Sequence, residues 1–178
     1  DISVTSIFIQ DQIDLSDNWK LMVGGRLDDF DITVDDIKNG TSESRNDNTF
    51  SPRAGVIYKP QENVSLYLSY SESFLPRSGE QFKALSATSA RLDPDVFEST
   101  EIGMKVALNE NISLNAAYFD SEQVRAERDN DTGETSEVRG LTVDGFEIEL
   151  KGRVADSLNL AIAYSDLSGE TSSGGIPR

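Results

Sequence analysis

The chain has 178 residues, and its acids outnumber its bases 32 to 16, for a formal net charge of -16. That balance opposes nucleic acid or an anionic membrane surface as the main partner. Cys and His are both absent, which excludes a disulfide framework, thiolate or imidazole metal sites, a Cys nucleophile, a Ser–His–Asp triad and a histidine pH switch. No apolar run approaches the roughly 18–20 residues of a membrane helix. The first residues already read as a strand, so the N-terminus is expected to be mature, trimmed or internal to a longer protein.

Four short stretches repeat along the chain: DNWKL from Asp17, ENVSL from Glu62, ENISL from Glu110 and DSLNL from Asp156, with starts 45, 48 and 46 residues apart. Each places an acid and Asn or Ser before an apolar residue, a polar one and Leu. Asn, Asp and Ser suit tight turns because their side chains bond nearby backbone. The apolar residues that follow set a period of two. In chain order, Trp19, Leu21, Val23, Gly25 and Leu27 share one face. Val64, Leu66, Leu68 and Tyr70 do the same, as do Ile102, Met104, Val106 and Leu108. The pattern recurs in Ile112, Leu114, Ala116 and Tyr118, in Phe146, Ile148 and Leu150, and in Leu158, Leu160, Ile162 and Tyr164. This periodicity predicts an all-β antiparallel up-and-down meander of about eight strands, each of roughly 9–13 residues.

The connections alternate in length. Those near residues 16–18, 60–63, 109–111 and 153–157 are short; those at 33–49, 75–96 and 126–139 are long and polar. Short turns at one end and long loops at the other mark a segment of a transmembrane β-barrel of the outer-membrane type. Strand length agrees with the roughly 9–11 residues of a tilted membrane strand. Aromatics fall near the strand ends: Trp19 and Tyr58 by the short turns, Tyr70, Phe74 and Tyr118 toward the long loops, as interfacial girdles do. A soluble β-sandwich also alternates with one wet face, and an eight-stranded barrel closed on itself is a further alternative.

FSPRAGVIYKP (Phe50 to Pro60) and NVSLYLSYSESFLPRSG (Asn63 to Gly79) resemble the barrel of TonB-dependent siderophore receptors, most closely the ferric-catecholate subgroup. SIFIQDQIDLSDNWKLMVGGRLDDF (Ser6 to Phe30), FESTEIGMKVALNENISLNAAYFD (Phe97 to Asp120) and GFEIELKGRVADSLNLAIAYSDLSGE (Gly145 to Glu170) resemble other hairpins of that barrel, in order. The resemblance therefore implies that residues 1–178 are part of a TonB-dependent receptor β-barrel domain, with the plug domain and remaining strands outside this chain. It implies residence in the bacterial outer membrane and uptake of a ferric siderophore, with the TonB system acting through the missing plug. The other implied partners are outer-membrane lipid and lipopolysaccharide, and no nucleic acid. A self-closed barrel with a structural or adhesive role and a soluble sandwich binding module remain the alternatives.

No catalytic constellation is legible, and neither a bound metal nor a cofactor is expected. DNDTGE (Asp129 to Glu134) lacks the third carboxylate and late Glu of a calcium loop. The loop at 75–96 supplies the ligand candidates: Phe74, Arg77, Gln81, Phe82 and Arg91. Arginine suits an anionic ferric complex through charge-assisted bonds, and aromatic rings can stack on catechols. The opposing reading is that Arg77 and Phe74 anchor the loop while the others are solvated. The acid-rich connections would repel an anionic ligand, or hold divalent cations near lipopolysaccharide.

Overall fold

The computed structural model describes residues 1–37, 40–75, 94–128 and 135–171. Its elements are eight strands: β1 (Ile2–Asp14), β2 (Trp19–Asp36), β3 (Thr41–Gln61), β4 (Val64–Leu75), β5 (Asp95–Ala107), β6 (Ile112–Arg128), β7 (Thr135–Ala155) and β8 (Leu158–Thr171). They form one sheet in the order β1 to β8, each strand antiparallel to its neighbours in sequence. Every connection is a hairpin, so the architecture is the expected meander. Among the described residues β1 and β8 are free edges that pair with no further strand. That excludes, for these residues, the small barrel closed on itself.

The sandwich reading also fails. A sandwich would bury one apolar face against a second sheet, but there is a single sheet here. The only buried large hydrophobic among the described residues is Ile32, while Ile9 is 77% exposed and Ile162 56% exposed. An apolar sheet face of this extent without a protein core behind it is one built for lipid.

The strands are longer than the sequence suggests, reaching 21 residues in β3 and β7. The expected long connection at 33–49 is mostly ladder. β2 and β3 stay paired up to Asp36 opposite Thr41, and Gly40 takes a positive φ of 68° at the turn, a conformation glycine adopts without steric cost. Polarity suggested a loop here, but these residues bond across the strands. Ser42 Oγ donates to Asp35 at 2.7 Å, and Asn46 Nδ2 donates to Asp29 at 2.7 Å and to Asp31 at 2.8 Å. A ribbon standing above the membrane is wet on its outer side, so it needs no hydrophobic alternation there. β6 and β7 likewise extend to Arg128 and from Thr135, shortening the expected connection at 126–139.

The repeated turn asparagines have a specific task. Asn18 accepts the backbone N–H of Lys59 at 2.7 Å and its side chain donates to the Lys59 carbonyl at 2.5 Å. Asn63 does the same with Ala107, at 2.8 and 3.1 Å. Asn111 accepts from the Arg153 backbone and from its guanidinium, both at 3.0 Å. Each turn thus adds a rung to the next hairpin beyond the end of its ladder, which pins register where fraying would begin. Asn63→Ala removes one such bond and is expected to cost about 1 kcal/mol. The check is the urea midpoint of the intact protein in lipid vesicles; an unchanged midpoint would show that the rung carries no stability.

Candidate functional site

The register sorts the side chains into two faces. On the outward face the rows read Ile13–Leu21–Val56–Leu68–Ile102–Tyr118–Phe146 and their neighbours. This apolar band ends sharply toward the long loops. Leu27 and Phe50 are followed by Asp29 and Asn48, Tyr70 by Glu72, Tyr118 by Asp120, Phe146 by Asp144 and Tyr164 by Asp166. The edge drifts along the register. Tyr70 pairs with Thr100, while the band on β5 ends at Ile102. Phe146 pairs with Asp166, while the band on β8 ends at Tyr164. A level boundary cut across strands tilted by about 35–45° produces such a drift.

Aromatics line both boundaries. At the short-turn side Trp19 and Tyr58 stack with centroids 4.6 Å apart. At the loop side the Tyr70 hydroxyl donates to Glu72 at 2.5 Å, and the Tyr118 hydroxyl lies 3.5 Å from Asp144. The rings lie in the band and their polar tips bond into the row above it, the orientation expected at a lipid–water interface.

The opposite face is polar and concave. Near the short turns Lys20 pairs with Asp14 at 2.7 Å, and Lys151 with Glu149 at 2.8 Å. Tyr67 lies flat across Gly103, its hydroxyl 2.5 Å from Glu101 and its ring 5.5 Å from the Lys105 ammonium. The missing Cβ of Gly103 makes room for the ring. Higher up, two Arg-x-Asp pairs lie along single strands. Arg26 Nε donates to both oxygens of Asp28 at 2.8 and 2.9 Å, and Arg45 Nε to both oxygens of Asp47 at 2.7 and 2.6 Å. Ser6 joins the first pair, donating to Asp28 and accepting from Arg26. Ser99 and Ser121 bond across β5 and β6 at 2.9 Å, and Gln123 donates to the buried Asp95 at 2.8 Å.

A wall with lipid on one side and a hydrogen-bonded, charge-balanced surface on the other is the wall of a membrane barrel with a wet or plugged lumen. Residues 1–177 match the family model described as the β-barrel of TonB-dependent receptor-like proteins. The chain belongs to this family. It is 29% identical over 184 residues to a probable TonB-dependent siderophore receptor, PiuA, of Acinetobacter baumannii, an alignment covering 98% of this chain and 25% of that protein. The metal-pseudopaline receptor CntO of Pseudomonas aeruginosa is 25% identical, with 96% and 25% covered. The crystal structure of the siderophore receptor PiuA from A. baumannii superposes with a TM-score of 0.82 at 27% identity, covering 98% of this chain and 26% of that one. The ferric-catecholate import receptor Fiu of E. coli, in its closed form, gives a TM-score of 0.79 at 22% identity, which speaks to fold. The chain spans about a quarter of the length of the curated relatives it matches.

In this TonB-dependent receptor barrel segment the apolar band is outer-membrane wall. The family is one of receptors, not of enzymes. Of the ligand candidates, Arg77, Gln81, Phe82 and Arg91 lie outside the described residues. Phe74 pairs with Val96 and shares the outward side of β4 with Tyr70 and Glu72. Sequence reasoning did not single out the lumen-facing set of Phe8, Gln10, Gly24 and Arg53. Gln10 stands opposite Gly24, Gly24 opposite Arg53, and Arg53 opposite Ser71. Its signal was faint: the paired glycines at 24 and 25, and an Arg within SPRAG whose side the alternation fixes.

Proposed function

We propose that the chain is part of the barrel of an outer-membrane receptor that takes up a ferric siderophore, energised through TonB acting on a plug outside this chain. The observation that carries the reading is the two-faced wall. Its lumen side carries hydrogen-bonded polar groups and paired charges behind a lipid-facing band, and its curated relatives include proteins named as siderophore receptors. A catecholate is the proposed ligand class, with Arg77 and Arg91 meeting its charge, Gln81 its polar edge, and Phe82 its rings; Phe74, on the outward side of β4, is left out of this set. β4 ends at Leu75 and β5 begins at Asp95, so the two strand ends that flank Arg77, Gln81, Phe82 and Arg91 in sequence lie on the side opposite the short turns. Outer-membrane lipid is the proposed partner of the apolar band. Lipopolysaccharide head groups are the proposed partners of the carboxylates just above it, among them Glu72, Asp120, Asp144 and Asp166, bridged by divalent cations.

The test is ligand binding by the intact receptor carrying Arg77→Ala or Arg125→Ala. Arg125 has Glu122 and Glu127 nearby in sequence to meet its charge, whereas Arg77 is flanked by Phe74 and Phe82. A charge-assisted bond to a bound anion contributes roughly 1.5–3 kcal/mol. Arg77→Ala is therefore expected to weaken binding of a ferric tris-catecholate about tenfold or more, and Arg125→Ala far less. Unchanged affinity for Arg77→Ala removes the 75–96 loop from the vestibule.

A further inference from the structure

We propose that Asp11 marks a contact inside the membrane. The strand that precedes β1 in the complete barrel presents a basic side chain, Arg or Lys, against this carboxylate on the lipid-facing side. The inference rests on the barrel wall and is independent of what the barrel carries.

The outward side of β1 reads Ile7, Ile9, Asp11 and Ile13. Asp11 pairs with Val23, the middle one of the outward residues at 19, 21, 23, 25 and 27 on β2. The carboxylate therefore lies near mid-height in the apolar band. No other outward position of that band, from 19–27 on β2 to 158–164 on β8, carries a charge among the described residues. A lone ionised group in hydrocarbon is costly, and such groups are almost always paired.

The described strands hold no such pair. On the β2 side Asp11 has Val23 directly opposite, with Leu21 and Gly25 on the diagonals. Along β1 its neighbours on the same face are Ile9 and Ile13, while Gln10 and Gln12 belong to the lumen side. Asp11 has neither a hydrogen-bond nor an ion-pair partner among the described residues. The remaining neighbour is a strand on the other side of β1. That side is a free edge of this sheet, and the chain covers 26% of the receptor on which it superposes, so a closed barrel of this family fills the edge with a further strand.

Residues directly opposite on adjacent strands have Cβ atoms about 4.5–5.5 Å apart, and diagonal neighbours about 7–8 Å, within reach of Arg or Lys. A neutral donor would leave a net charge facing lipid, whereas a basic one leaves a neutral pair. The pair also specifies register. Strands of alternating apolar residues keep the same faces outward after a two-residue slip. An ion pair does not survive that slip, because it moves the two members about 7 Å apart along the strand.

The test is made on the intact receptor. The strand before β1 must carry Arg or Lys on its outward side, opposite Asp11 or one outward row away, and its absence overturns the proposal. Asp11→Leu would improve an unpaired position facing lipid. Here it is expected to lower the amount of heat-modifiable, surface-labelled receptor about tenfold or more, because it leaves the cation uncompensated. Asp11→Asn, which keeps the shape and removes the charge, should share the loss. Replacing both members of the pair with Leu should restore assembly. Wild-type or better assembly of Asp11→Leu or Asp11→Asn overturns the proposal. So does a loss that the double Leu variant fails to recover, which would assign Asp11 another structural task. None of these readouts depends on siderophore uptake, so their failure leaves the uptake reading standing.

Discussion

Leu68→Arg is expected to abolish membrane assembly of the intact receptor, while Ser69→Arg is tolerated. The two residues are adjacent on β4, so depth along the strand is nearly matched, and Ser69→Arg adds the more volume; what sets Leu68 apart is the side it faces. Leu68 lies in the apolar band, 47% exposed in this segment, opposite Val56 and Ile102. Ser69 faces the lumen opposite Gly55 and Glu101, where a guanidinium meets water and a carboxylate. Arginine on the lipid side costs about 2–4 kcal/mol near the midplane, a large fraction of the 5–15 kcal/mol by which a domain is typically stable. Heat-modifiable migration of the folded barrel, with surface labelling of the expressed receptor, reads the outcome. Equal assembly of the two variants would mean that the faces are assigned wrongly.

The second large effect is expected at Gly152, by contrast with Gly103. A Cβ on Gly152 would collide with the carbonyl oxygen of Asn111 and lie 2.7 Å from the Ile112 Cα. Both obstacles are backbone, and Asn111 is also the residue that receives the Arg153 backbone N–H. Neither can move without parting β6 from β7, so Gly152→Ala is expected to cost about 3 kcal/mol, the upper end of overpacking penalties. A Cβ on Gly103 would meet only the outer atoms of the Tyr67 ring, at 2.5–2.7 Å. That ring can swing aside, giving up its bond to Glu101, so Gly103→Ala is expected to cost about 1 kcal/mol. Urea midpoints in lipid vesicles compare the pair. A greater loss at Gly103 would contradict the placement of Tyr67 over the glycine.

The alternation carried the fold. Rows such as Leu66, Leu68 and Tyr70 fix the outward side because a one-residue slip would turn them all inward. The Asn turns were legible as turns, but not as rungs, since their partners Lys59, Ala107 and Arg153 lie more than forty residues away. Residues 33–49 were misread as loop. Their cross-strand bonds, such as Asn46 to Asp29 and Asp31, are invisible to a period of two when both faces are polar. The site was harder still. Tyr67 lies over Gly103 and against Glu101 only because β4 and β5 pair in that register, and Ser6 meets Asp28 only because β1 and β2 do. Those are facts of register between strands, not of order along them.

The eight strands are an arc of a wider barrel, open at β1 and β8 among the described residues. The most direct measurement is disulfide formation in the intact, membrane-assembled receptor, made feasible by the absence of cysteine from this segment. Cysteine pairs would join Ile7, Ile9 or Ile13 on β1 with Leu160, Ile162 or Tyr164 on β8; Leu150 with Ile162, which are register partners, serves as the positive control. A disulfide requires Cα atoms about 4.4–6.8 Å apart. The arc predicts cross-linking of the control alone. Efficient cross-linking of any β1–β8 pair would show that the eight strands close on themselves, and would contradict the account.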